Sequence, residues 1–112
     1  DLWEDTQLPD STTLDVDKSD FCILLSHNPD YLEELKTDLI DFTLSGHTHG
    51  GQMTLFGWWA PILPSKYGQK YRYGMIQTGG LQSYISSGVG TITPPLRFFC
   101  RPEIVVITLA GS

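Results

Sequence analysis

Phe21-Cys22-Ile23-Leu24-Leu25-Ser26-His27-Asn28-Pro29-Asp30 and Ile40-Asp41-Phe42-Thr43-Leu44-Ser45-Gly46-His47-Thr48-His49-Gly50-Gly51 are the two stretches whose reading decides the fold. Each opens on an apolar run and closes on histidine. The run at 21–25 is continuous rather than alternating, the pattern of a strand buried on both faces. Asn28-Pro29-Asp30 is a helix start: Asn28 caps, Pro29 suits the first helical position, and Asp30 meets the positive end of the dipole. Tyr31, Leu32, Leu35 and Leu39 then recur at helical spacing. A second strand follows at 40–45 and stops at Gly46. The sum is a strand–helix–strand unit of the βαβ kind, with both strands ending just before histidine.

Downstream, 52–56 alternates weakly, and 57–67 (GWWAPILPSKY) reads as a loop with two prolines. Strands are predicted at 73–78 and 81–86 around the Gly79-Gly80 turn, and a strong final strand (EIVVITL) at 103–109. Upstream, 1–19 is an acidic entry segment, read as a surface stretch with room for a short helix; 20–112 holds the regular elements. Residues 1–41 carry twelve of the thirteen acidic residues and two of the seven basic ones, a formal charge of −10, while 42–112 carry +4. All 11 glycines lie at Gly46 or beyond. Lopsided halves, a polar entry and a start at Asp1 give the expectation of a piece of a longer protein.

Composition narrows the classes. At 40% apolar and 18% charged, the 112 residues can build a core, which excludes wholesale disorder. No apolar run approaches the ~18 residues of a membrane span. A net charge of −6 argues against nucleic acid as a general partner. Two cysteines make no disulfide scaffold, and Cys22 is expected as a reduced core thiol.

The three histidines carry the chemistry. In open α/β sheets, ligand sites form beyond the carboxyl ends of strands, so the two strands should deliver His27, His47 and His49 to one edge. On extended chain, an i, i+2 pair points both rings the same way. Imidazole binds zinc, iron, manganese and nickel ions. A His-x-His pair with a distant histidine is one route to a mononuclear catalytic zinc with water in the fourth place. Polar residues that merely end strands are the alternative.

Ser26-His27-Asn28-Pro29-Asp30 followed by Gly46-His47-Thr48-His49-Gly50-Gly51-Gln52 resembles the C-terminal part of the calcineurin-like metallophosphoesterases, most closely the bacterial branch with a G-H-T-H-G-G-Q motif. The stretches 84–90 (YISSGVG) and 97–104 (RFFCRPEI) look like the same branch, and the likeness spans about residues 20–109. It implies an α/β fold: the C-terminal half of a four-layer αββα sandwich, with a mixed sheet and a short helix. It implies a hydrolase of phosphomonoesters or phosphodiesters with two divalent ions (Mn, Fe or Zn) around a bridging hydroxide. His27 and His47 would share the second ion, and His49 would serve the first. The family's early D-x-H, its G-D and its G-N-H-[DE] have no counterpart here. The general acid is therefore expected outside this chain, in a missing N-terminal half. The chain alone is expected to bind at most one metal weakly and to be inactive. Expected partners are that missing half, or a second copy through exposed sheet, and a phosphoester substrate of the lipid-linked kind among others. The resemblance implies a bacterial cytoplasmic or envelope-associated protein. A self-sufficient mononuclear three-histidine zinc hydrolase and a catalytically silent interaction module stand as alternatives.

Secondary candidates are Lys66, Lys70, Arg72, Arg97 and Arg101, read as phosphate-binding or as ordinary surface charge. Trp58-Trp59 reads as a membrane-facing tip or as loop packing against the sheet. Asp30 is assigned to helix capping, Asp41 to strand entry, and Thr48 to a structural role between the histidines.

Overall fold

A computed structural model of the chain describes residues 16–111. Residues 1–15 of the acidic entry segment lie outside that range. Within it, Asp17 closes a turn, its carboxylate accepting from the backbone and hydroxyl of Ser19.

Strand β1 (Ile23–Ser26) leads through a 3₁₀ helix (Pro29–Glu33) to β2 (Phe42–Ser45). A 3₁₀ helix (Gly68–Tyr71) then precedes β3 (Gly74–Thr78) and β4 (Leu81–Ile85). The sheet runs β1-β2-β4-β3. β1 and β4 both lie parallel to β2, and β3 pairs antiparallel with β4 across Gly79-Gly80, so the sheet is mixed. The parallel β1–β2 pair is what the two opening stretches predict, and a mixed α/β sheet with little helix is what the resemblance implies.

The connection between β1 and β2 is shorter in helix than the Leu32–Leu35–Leu39 spacing predicts. Asn28 caps as expected, its side chain accepting the Asp30 N–H at 3.0 Å, with Pro29 in the first turn. The helix ends after five residues. Glu33 and Glu34 sit at its carboxyl end, where the dipole is negative and the last turn itself holds no basic residue. Thr37 then bonds the Leu39 N–H with its own hydroxyl, a local alternative to the helical ladder.

One face of the sheet is covered. Leu32 and Tyr71, from the two 3₁₀ helices, pack with Ile85, and Ile76 and Leu81 join them. The opposite face carries Leu25 and Met75, 75% and 61% exposed. β1 is thus an edge strand with an open face, not the doubly buried strand that its unbroken apolarity predicts. The strand expected at 103–109 does not form: the segment joins no ladder of the sheet. Strand propensity needs a neighbour to become a ladder, and only its first residue finds one, the Glu103 N–H donating to Gly88 O at 3.0 Å. Ile104 and Val106 are left 86% and 87% exposed. Among the described residues no helix is long and apolar enough to cross a membrane.

Candidate metal centre

β1, β2 and β4 are parallel, so their carboxyl ends share one edge. β1 delivers His27, β2 delivers the loop 46–52, and β4 delivers the loop 86–90. Backbone bonds tie the exits together: Gly46 N–H donates to His27 O at 3.2 Å, and Ser86 N–H to Ser45 O at 2.8 Å.

His27 and His47 meet. His27 Nε2 lies 3.0 Å from His47 Nδ1, and the rings cross at 62° with centroids 4.8 Å apart. Burial pushes the His47 imidazole below its ordinary value, with His27 adding in the same direction and Asp30 opposing. A ring biased toward neutrality keeps a lone pair for a cation. The spacing fits that use: two nitrogens about 2.0–2.1 Å from one ion, at octahedral to tetrahedral angles, stand about 2.9–3.4 Å apart.

His49 turns elsewhere. Its Nδ1 faces Gly90 O at 3.2 Å. The expectation of parallel rings assumed extended chain, but His47 and His49 have φ of 65° and 50°, and 49–51 is a 3₁₀ turn. Left-handed backbone at two non-glycine residues is costly and concentrates at functional sites. Among the described residues, no three His, Cys, Asp or Glu side chains gather into a metal-holding set. The three-nitrogen mononuclear site is therefore not assembled there: two histidines converge, and the third is held against a different loop.

The loop is braced by groups whose roles the sequence concealed. Thr48, 1% exposed between the histidines, donates its hydroxyl to Arg72 O at 2.7 Å, which gives its structural role a partner. Arg72 reaches Gly50 O at 3.2 Å and Gly57 O at 2.9 Å. Arg97 donates to the carbonyls of His49, Ser87, Gly88 and Gly90. Both guanidinium groups bind backbone oxygen. The Gln52 side chain clamps residues 92 and 94, accepting from Ile92 N at 2.7 Å and donating to Pro94 O at 2.6 Å. Gly51 is indispensable by contact: with φ +80°, a Cβ there would lie 2.2 Å from Ala60 Cβ.

Asp30 does more than start a helix. Its carboxylate accepts from Ser65 Oγ at 2.5 Å and Lys66 N at 2.7 Å, anchoring the 57–67 loop to the helix that follows β1. Asp41 accepts from Cys22 N at 2.8 Å at the entry of the strand pair, and Cys22 itself is half-buried rather than core. Lys70 is paired with Glu33, away from the histidine edge. Arg101 is exposed. Trp58 is 87% exposed, so packing against the sheet does not describe it.

Curated relatives agree with the motif reading. The chain is 45% identical over 92 residues to the uncharacterized metallophosphoesterase YkuE of Bacillus subtilis, covering 82% of this chain and 32% of that protein. It is 40% identical over 102 residues to the uncharacterized metallophosphoesterase Cj0846 of Campylobacter jejuni, covering 88% and 25%. It is 36% identical over 87 residues to phosphodiesterase YaeI of Escherichia coli, covering 78% and 32%. The chain thus spans about a third or less of the length of these relatives. No family model and no solved structure matches it. With relatives named metallophosphoesterases aligning across about four-fifths of its length, the chain is consistent with the C-terminal part of a calcineurin-like metallophosphoesterase.

Proposed function

We propose that this chain supplies the C-terminal histidine ligands of a divalent-metal phosphoesterase whose remaining ligands and general acid lie in a preceding part of the protein. One observation carries the reading: His27 Nε2 and His47 Nδ1 stand 3.0 Å apart at the carboxyl ends of adjacent parallel strands. Two imidazoles so placed suit one shared ion, and His49, turned away, suits a second. In such a centre the ions supply a hydroxide nucleophile and neutralise phosphoryl oxygens.

This chain's own residues do the positioning. His27 and His47 present converging nitrogens, Thr48 and Arg72 hold the loop between them, and His49 is oriented by the 86–90 loop. No carboxylate joins the histidines among the described residues, and without one, the repulsion between two close divalent ions has nothing here to offset it. The isolated chain accordingly holds one ion weakly and does not turn over. The finer architecture, half of a four-layer αββα sandwich, is proposed with it; the open sheet face and the unpaired 103–109 segment support it.

The test compares metal content and hydrolysis of bis-p-nitrophenyl phosphate for this chain and for a version extended upstream. Activity confined to the longer protein is expected, with His47→Ala and His49→Ala each reducing it at least a hundredfold. Turnover by the short chain would support a self-sufficient metal site instead. Absence of metal and activity in both would leave a silent interaction module. Full activity of His49→Ala in the longer protein would remove that ligand assignment.

A further inference from the structure

Arg97 occupies the junction between the histidine loop and the loop that follows β4. Its Nη2 donates to Ser87 O at 2.7 Å and Gly90 O at 2.6 Å, its Nε to Gly90 O at 3.1 Å, and its Nη1 to His49 O at 3.3 Å. Gly90 O thus receives two prongs of the guanidinium fork, and it also faces His49 Nδ1 at 3.2 Å. A carbonyl oxygen only accepts, so Nδ1 carries the proton and the lone pair lies on Nε2. Free imidazole favours the opposite tautomer, so the protein imposes this one. Gly90 also lies beside the ring: a Cβ there would stand in ordinary contact, 3.5 Å from His49 Cε1.

We propose that Arg97 is a positioning residue that sets the tautomer and ring orientation of His49 through the Gly90 carbonyl, so that Nε2 is the nitrogen offered to a metal. The inference rests on the ligand reading of His49 given above, and extends it to a residue 48 positions downstream. Arg97 touches neither metal nor substrate. The planar fork is what the arrangement needs, because one group must hold Gly90 O from the side while also holding His49 O. A lysine, a point charge on a flexible stem, supplies one such contact at a time. Partners of this kind are typically worth 10–100-fold in metal affinity.

The experiment is long-range nitrogen–proton NMR of the imidazoles in the metal-free full chain at pH 8, followed by zinc titration. Wild-type His49 is expected in the Nδ1–H form. Arg97→Met is expected to shift it toward Nε2–H, with zinc affinity of the upstream-extended protein falling about 10–100-fold; Arg97→Lys should fall between. Backbone amide spectra of β1–β4 serve as the folding control, and Arg97→Lys decides the matter if Arg97→Met does not fold. An unchanged Nδ1–H form in a folded variant overturns the proposal. A shifted tautomer, in a protein whose wild type binds no zinc through His49, supports the positioning role and overturns the ligand reading.

Discussion

At the scale of single residues, the histidine loop depends on side chains that fill or close it. Thr48 is fully enclosed, with its hydroxyl on Arg72 O. Thr48→Val keeps the shape but leaves that carbonyl unpaired, and should cost about 1–3 kcal/mol in urea unfolding. Gly51→Ala is harsher in kind. It adds a methyl into Ala60 and asks alanine to hold φ +80°, so a loss of about 2 kcal/mol or more is expected, read from the same unfolding midpoint. Gly68→Ala, also at positive φ but with open space around its Cβ, separates the two costs: it should show only the backbone part. That His27, His47 and His49 are candidate ligands was legible in their spacing. That Arg72 and Arg97 serve carbonyls was not, because an arginine's partner is chosen by what the fold brings near it.

At the scale of elements, the 3₁₀ helices Pro29–Glu33 and Gly68–Tyr71 are joined through Glu33. Its carboxylate accepts from Lys70 Nζ and, at 2.6 Å, from Tyr71 OH. The Lys70 hydrogen bond, then that of Tyr71, holds Glu33 below its ordinary value of 4.5; Lys70 is correspondingly raised above 10.5 by Glu33. The lowered carboxyl gives stabilisation that is present above pH 4.5 and lost as pH falls through the folded value. The raised ammonium gives stabilisation that is present below pH 10.5 and lost as pH rises through its folded value. Glu33→Gln should therefore lower the melting temperature at pH 7, and the gap from wild type should close in acid. A gap independent of pH would mean that packing, not charge, carries the junction. The strands were legible because their apolar runs are bounded by Gly, Pro and Asp. The helix at 29–39 was over-read: Leu35 and Leu39 keep the period, but Glu33, Glu34 and Thr37 work against continuing it.

At the scale of the molecule, apolar surface remains uncovered in places where strands normally find partners. Leu25 and Met75 lie on the open sheet face, and Ile104 and Val106 on the unpaired segment. Exposed edges and faces of this kind recruit other chains. The isolated chain is expected to self-associate in sedimentation, and Ile104→Lys with Val106→Lys should shift it toward monomer. A cooperative, monodisperse monomer at micromolar concentration would contradict this.

By itself the sequence determined the strand–helix–strand order with its parallel pairing, the candidacy of three histidines as metal ligands, and the family that its motifs resemble. These are local matters, set by period, capping chemistry and the spacing of imidazoles. Tertiary structure decided which histidines converge and which part, because the left-handed backbone at His47 and His49 aims each ring, and no residue pattern states that angle. It also decided that 103–109 stays unpaired and that Arg97 reaches Gly90. Both depend on neighbours distant in the chain, and a strand or a guanidinium acquires its role only when those neighbours arrive.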